Sequence, residues 1–503
     1  MEKQITELKK LLAEVVDLQR SASVLAWEQQ TYMPPGGAAA RAEQLATLEG
    51  LAHRMFVTDE IGALLAGLKQ VADDWDYDSD EASLVRFISR KYERERRIPS
   101  ELVADIARTT ALAQETWVRA RQAADYPMFK PHLQKVLTLR RQQAECLAPY
   151  EHIYDPLLDE YEPEMKTAEV RAMFAAIKDE LIELVHDISA RADAVSDEML
   201  HGDFDIEMQR AFGLQVAQKF GYDLERGRQD EAPHPFCSSF SSDDVRITTR
   251  FDGSFLPSAF FSTLHEAGHA LYEQGVAPDL ARSGLDTGIS LGVHESQSRL
   301  WENLVGRSRP FWQHFFPQLQ AAFPGALGAA DVEAFYRAIN LSKPSLIRVE
   351  ADEVTYDLHI IIRFELELDL LTGELHLDEL PAAWNDKYER YLGVRPENDA
   401  EGVLQDIHWS IGAIGYFATY SIGNLISVQL LNSAREALPN LDVDIAAGEF
   451  GALLSWLREN IHRHGSKFTP RELVKRVTGG EMDSRPYMHY LREKYSDIYA
   501  LRT

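Results

Sequence analysis

Phe260-Phe261-Ser262-Thr263-Leu264-His265-Glu266-Ala267-Gly268-His269-Ala270-Leu271-Tyr272 is an apolar run with helical spacing. It holds two histidines four residues apart, with a glutamate directly after the first. Residues four apart stand on one helix face, about 6 Å apart along the axis, so both imidazoles can reach one ion. Glu266 is turned about 100° from His265, which sets its carboxylate beside the ion as a base that activates water. The chain has 16 histidines, and chance produces about 0.04 such HExxH matches in a chain of this length and composition. Small residues at Ala267 and Gly268 let another element approach the helix closely.

The pattern does not extend to a third histidine. Tyr272 and Gly275 occupy the positions where the longer HExxHxxGxxH motif has glycine and histidine, so a three-histidine site is not expected. A catalytic zinc keeps three protein ligands and one open position. Glu273 lies about 12 Å along the axis from His265, too far for one straight helix to bring it to the same ion. The third ligand must come from another element. Glu295, in Gly292-Val293-His294-Glu295-Ser296-Gln297-Ser298-Arg299, opens the next helical run and is the candidate, with Glu302 as runner-up.

Outward from the motif, most of the chain has apolar residues at spacings of three and four. The runs are 1–30, 38–70, 81–95, 99–125, 128–150, 167–195, 206–220, 330–341, 350–373, 442–461 and 470–477. Pro34-Pro35-Gly36-Gly37, Pro127, Pro156, Pro163 and Gly202 mark the breaks. The acidic run Asp73–Asp80 reads as a solvated loop. Val245-Arg246-Ile247-Thr248-Thr249, followed by Asp252-Gly253, reads as a strand entering a turn. No repeat or Gly/Ser linker interrupts the pattern. The expectation is a mostly α chain, one catalytic domain over 1–503, with a small β-sheet near residues 240–255 beside the active site.

Composition narrows the partners. The 503 residues are 45% hydrophobic, with 52 basic and 80 acidic side chains and a formal charge of −28. Such a chain repels nucleic acid and anionic lipid. The charge serves solubility, or forms an acidic cleft for cationic peptides. Two cysteines, Cys146 and Cys237, are too few for a disulfide scaffold and fit a reducing compartment. The first residues form an amphipathic helix, with Leu8, Leu11, Leu12 and Val15 on one stripe, not a signal sequence. No run reaches the ~18 apolar residues that a membrane span needs. A cytoplasmic protein is expected.

Several separate motifs, in order, make the chain resemble the M32 metallocarboxypeptidases, the carboxypeptidase Taq type. They are Leu25-Ala26-Trp27-Glu28 with Met33-Pro34, His234-Pro235-Phe236, Asp244-Val245-Arg246-Ile247-Thr248, His265–His269 with His294-Glu295-Ser296-Gln297, Ile347-Arg348-Val349-Glu350-Ala351-Asp352, and Gly402-Val403-Leu404-Gln405-Asp406-Ile407-His408-Trp409. Glu28 departs from the aspartate expected there. The resemblance implies a helical body with a deep groove and the metal at its floor, and it supports Glu295 as the third ligand. It also implies a homodimer, zinc as the usual ion with cobalt able to replace it, and release of single C-terminal residues with broad side-chain tolerance.

A carboxypeptidase must hold a free carboxylate, which the planar fork of arginine fits. Arg348 is the first choice. Arg246 is expected to help close the groove end with Asp244 and Thr248. An internal salt bridge is the other role open to each. His408 and Tyr420 are candidate donors to the oxyanion, and His234 is a candidate substrate contact. Two rivals stay open: an oligopeptidase with a related fold, and a helical scaffold with a degenerate site.

Overall fold

The computed structural model describes residues 2–501. The chain is mostly α-helical, with one small sheet. Its contacts gather it into two compact units, each drawn from three separated stretches. The first unit is Met1–Arg96, Asp197–Ile339 and Ser427–Glu481; the second is Arg97–Ser196, Asn340–Ile426 and Met482–Thr503. With each unit assembled from separated stretches, no single linker divides the chain.

In the first unit, helix Glu2–Thr31 buries Leu8, Leu12 and Val15 against Ala52, Phe56, Ile61, Leu65 and Leu68 of the next two helices. Periodicity alone runs 38–70 together, but the helix breaks after Phe56. Thr58 then caps a new helix, Asp59–Ala72, its side chain accepting from the Ile61 amide. The acidic run is a turn between helices whose members find cations: Asp78 pairs with Arg476 at 2.7 Å and Asp80 with Lys467 at 2.6 Å.

The sheet has strands β1 (Gly227–Glu231), β2 (Cys237–Ser241) and β3 (Asp244–Thr249) in the order β1-β3-β2. β3 pairs parallel to β1 and antiparallel to β2. Only β3 was legible as a strand, because it alone is rich in β-branched residues. β1 reads Gly-Arg-Gln-Asp-Glu and β2 reads Cys-Ser-Ser-Phe-Ser, with no apolar alternation to betray them.

Helix Leu256–Gln274 follows the sheet and carries the HExxH motif, with Pro257 in its first turn. Phe260 stacks into an aromatic cluster with Phe212 and Trp312, both at 5.4 Å between ring centroids. This anchors the motif helix from the side opposite its histidines. The next helix, Leu291–Arg299, runs on without a break into a π-helical turn, Leu300–Val305. Such turns shift the phase of the side chains that follow and recur at functional sites.

In the second unit, Ser100–Ala123 and Tyr126–Cys146 form a helical hairpin, and Thr167–Ser189, Tyr356–Thr372, Leu380–Leu392 and Arg485–Tyr499 pack as a second group. The run expected over 350–373 becomes helical only at Tyr356. The run 442–461 is divided at Gly448, whose φ of 75° only glycine adopts readily. Helices Arg309–Ala322, Leu380–Leu392 and Arg485–Tyr499 were not read from the sequence, since prolines at 310, 317, 381 and 486 look like breaks. Three of those four prolines sit in first turns, where the missing N–H costs nothing. Helix Ala418–Ala437 escaped for another reason: it is buried on nearly every side and shows no polar stripe.

Candidate functional site

The helix places His265 and His269 on one face, as the spacing requires, with their side chains 19% and 16% exposed. Glu295 comes to meet them from helix Leu291–Arg299. Its Oε2 is 3.6 Å from His265 Nε2 and 3.5 Å from His269 Nε2. One ligand atom from each of the three lies within 4.8 Å of the others. Ligands about 2.0–2.2 Å from a tetrahedral zinc stand roughly 3.3 Å from one another, so the donor set fits such an ion in both chemistry and spacing. Gly268 makes the approach possible. A Cβ there would lie 2.6 Å from Ser298 Cα and 2.7 Å from the Gln297 carbonyl oxygen, so only glycine lets the helix carrying Glu295 sit this close.

The other atoms of these three side chains are held. Glu302 Oε2 accepts from His265 Nδ1 at 2.9 Å. Glu302 therefore orients His265 and turns its Nε2 toward the cluster. Arg299 donates to Glu295 Oε1 at 2.7 Å and to Glu302 Oε2 at 3.3 Å, clamping both carboxylates from behind. His269 Nδ1 stands 2.6 Å from His294 Nδ1, and His294 Nε2 stands 2.9 Å from Glu273 Oε1. Glu273, only 4% exposed, also accepts from the Gly288 amide at 3.1 Å. With Glu273 ionised, His294 donates to it through Nε2 and accepts at Nδ1 from His269 Nδ1–H, which fixes the lone pair of His269 on Nε2. Glu273 is thus excluded as a ligand, as its helical offset requires, and serves two steps behind one.

Electrostatics follow the same layout. Burial opposes protonation of His265, but the Glu295 and Glu302 carboxylates outweigh it and lift its pKa to about 8. Burial, with His294 and His265 nearby, drops His269 to about 4. Burial opposes ionisation of Glu302, yet Arg299 and His265 bring it down to about 2. Glu266 is 5% exposed, and burial pushes its carboxyl up to about 7 among the protein's own groups. A carboxylate poised near neutrality is suited to taking and returning a proton.

The remaining candidates fall in other places. Arg246 is on β3, where it makes two 2.8 Å bonds to Asp244 and lies over the Trp27 ring at 4.4 Å. Its neighbours Val245 and Ile247 face the opposite side of the sheet and are fully buried. Thr248 binds the Phe236 backbone through its hydroxyl. His234 is exposed in the connection between β1 and β2.

Arg348, His408 and Tyr420 come together in the second unit. The Arg348 guanidinium lies 5.1 Å from the centre of the Tyr420 ring, and His408 Nε2 is 3.2 Å from the Tyr420 hydroxyl. Arg348 pairs with Asp406 at 2.9 Å and donates to the Tyr356 hydroxyl at 3.0 Å. Asp406 also binds Arg363 at 2.6 Å, so one carboxylate faces two buried guanidiniums and the cluster carries net positive charge. Burial first, and Arg348 second, lower His408 to about 3, which keeps its imidazole neutral. Arg363 and the role of Asp406 were not read from the sequence, although Asp406 stands in one of the quoted motifs. An Arg363–Asp406 pair 43 residues apart leaves no local pattern.

Comparison with known proteins gives the family. The family model described as carboxypeptidase Taq (M32) metallopeptidase matches residues 7–495. The chain is 43% identical over 487 residues to thermostable carboxypeptidase 1 of Thermus thermophilus, covering 95% of each chain. It is 36% identical over 491 residues to carboxypeptidase 1 of Bacillus subtilis, covering 98% of each. The crystal structure of an M32 carboxypeptidase from Deinococcus radiodurans superposes with a TM-score of 0.95 at 40% identity, over 99% of this chain and all of that one.

Proposed function

Since the chain belongs to the M32 family and is a metallocarboxypeptidase, we propose that it is a zinc enzyme that removes single residues from peptide C-termini with broad side-chain tolerance. The observation that carries this is the convergence of His265, His269 and Glu295, with Glu266 one residue along the same helix from the first ligand. These three side chains would hold the ion. When bound, zinc supplies Lewis acidity toward the scissile carbonyl and makes water more acidic, and cobalt has the same capacity.

The chain's own residues do the rest. The Glu266 carboxylate takes a proton from the attacking water and returns it to the leaving amine as the peptide bond breaks. Glu302, and His294 with Glu273, keep the two imidazoles in the required tautomer and orientation. Arg348 receives the terminal carboxylate of the substrate. Asp406 balances part of the charge of this buried arginine and fixes its plane, while N–H groups of its fork stay available for a second anion. Neutral His408 and the Tyr420 hydroxyl are donors to developing negative charge. His234 and Arg246 are assigned to the substrate more loosely, Arg246 through its brace on Asp244 and Trp27.

The expected partners are peptides with a free C-terminus and a second copy of the chain, in the cytoplasm. No described helix is long and apolar enough to cross a membrane. Light scattering measures the homodimer. The activity is tested by a time course on an N-blocked peptide read by mass spectrometry, with and without chelator. A ladder of products shortened one residue at a time from the C-terminus, abolished by chelator, is the expected result. Internal fragments appearing first would move the assignment to an oligopeptidase.

A further inference from the structure

A buried carboxylate in the second unit takes no part in the chemistry described so far. Glu367, on helix Tyr356–Thr372, is fully buried. Its Oε2 accepts from the Tyr154 hydroxyl at 2.8 Å and from the Gly415 amide at 3.1 Å. Its Oε1 accepts from Trp409 Nε1 at 2.9 Å. Burial pushes the carboxyl up to about 7, against the pull of these three donors and, more weakly, of Arg140. An anion this deep persists only where its lone pairs are filled.

Two of the donors stand on one loop. Residues 401–417 form neither helix nor strand, so their path depends on what holds them from the sides. Arginines fix the upstream end. Asp406 binds Arg348 and Arg363, and the Gln405 side chain accepts from the Arg348 amide at 2.9 Å and from the Arg363 guanidinium at 2.7 Å. Glu367 fixes the downstream end through Trp409 and Gly415. Gly415 lies against the chain at Leu157, where a Cβ would be 2.7 Å from the carbonyl carbon, and its φ is 95°. His408 stands between the two anchors. Its carbonyl accepts from the Ala413 amide at 2.8 Å, which ties it to the stretch that Glu367 holds. Its imidazole rests on the rings of Phe417 at 4.3 Å and Tyr416 at 5.2 Å. Nε2 meets the Tyr420 hydroxyl, and Nδ1 has no hydrogen-bond partner among the described residues. The loop backbone therefore does much of the aiming of this ring.

We propose that Glu367 is a positioning residue: by holding Trp409 and Gly415 together, its carboxylate aims the His408 imidazole for the reaction. Only a carboxylate suits the place. It has lone pairs for all three donors, and an amide of the same shape does not. A glutamine can keep its oxygen toward Tyr154 and Gly415, but its NH2 then faces the Trp409 N–H, donor against donor. Turned over, it faces the Gly415 N–H instead. The upstream anchor is untouched by such a change, so Arg348 keeps its place and peptide binding is preserved. The step that suffers is the one in which negative charge develops. The inference rests on the reading of His408 as a donor to that charge.

The test is the steady-state kinetics of four variants on an N-blocked peptide with a free C-terminus, at about pH 8, where Glu367 is ionised. Glu367→Gln should lower kcat about tenfold or more, with KM within about twofold of the wild type and equal metal content. Trp409→Phe releases one anchor and should lower kcat about fivefold at unchanged KM. It also removes the opposing donor, so adding Glu367→Gln in that background should change kcat by less than about twofold. His408→Ala should lower kcat about 100-fold. Wild-type kcat in His408→Ala sinks the donor reading, and the positioning role with it. A damaged His408→Ala beside an unaffected Glu367→Gln sinks the positioning role alone. So does a loss that falls on KM instead of kcat, or an equal loss from Glu367→Gln in both backgrounds. If Glu367→Gln fails to fold, Trp409→Phe decides: wild-type kcat there overturns the proposal.

Discussion

Replacing Gly268 by alanine adds one methyl group between two helices that touch through their backbones. Its carbon would lie 2.6 Å from Ser298 Cα and 2.7 Å from the Gln297 oxygen. Carbon atoms in comfortable contact are about 3.5–4.0 Å apart, so the helix Leu291–Arg299 must retreat by roughly 1 Å. No flexible side chain can absorb the shift, because both atoms are backbone. Overpacking of this kind costs about 1–3 kcal/mol of stability. The larger effect falls on Glu295, which rides on the helix that moves. A metal ligand tolerates displacement of only about 0.2 Å. A shift several times larger therefore withdraws the third ligand and should weaken metal binding at least about 100-fold, or ~2.7 kcal/mol. Chelator competition on purified protein reads the affinity, and thermal melts with and without metal read the stability. Wild-type affinity and an unchanged melting temperature in Gly268→Ala would refute the close approach as the device that assembles the site.

Other outcomes follow from the same geometry. With Glu266 as the proposed base and outside the proposed ligand set, Glu266→Gln should retain its metal and lose turnover by about 10²–10⁴-fold; metal analysis beside kinetics separates the two. Glu295→Ala should lose metal outright. Glu302→Ala and His294→Ala should keep the three ligands and weaken affinity by about 10–100-fold, as loss of an orienting partner does; equal losses in all three variants would erase the distinction drawn between ligands and their supports. Arg348→Ala should depress hydrolysis of free-acid peptides at unchanged metal content, and an amidated C-terminus should reproduce the loss in the wild type by leaving a buried guanidinium without its charged partner, at a cost of about 2–5 kcal/mol. His359 is fully buried, its Nδ1 2.9 Å from the Tyr388 hydroxyl, and burial with Arg363 and Arg348 holds its pKa well below the ordinary value. The unfolded chain then binds a proton below about pH 6.5 that the folded chain refuses, so acidification lowers stability by up to about 1.4 kcal/mol per pH unit. Denaturant titrations at steps between about pH 7 and 5 should show a smaller loss in His359→Gln than in the wild type; parallel losses would remove His359 as a source.

The metal motif is local, and the sequence by itself determined it. A spacing of four puts His265 and His269 on one face of any helix, and the same geometry rules out Glu273 as a ligand while predicting a partner from another element. Helical periodicity likewise gave the mostly α class and most element positions wherever one face meets solvent. It failed where that contrast is missing, as in helix Ala418–Ala437, buried along most of its length, or where prolines that begin helices imitate breaks. The polar strands β1 and β2 carry no pattern either, since they are defined by pairing with β3 and not by their own residues. Tertiary structure alone set Glu295 between the two imidazoles and Glu302 behind His265. Glu295 and Glu302 both stand beside His265, the second within a π-helical turn that no composition announces. It also joined Arg348 to Asp406 and Arg363, and His269 through His294 to Glu273. These are contacts between side chains distant in sequence, and their energies depend on distance and burial, which a linear pattern does not contain.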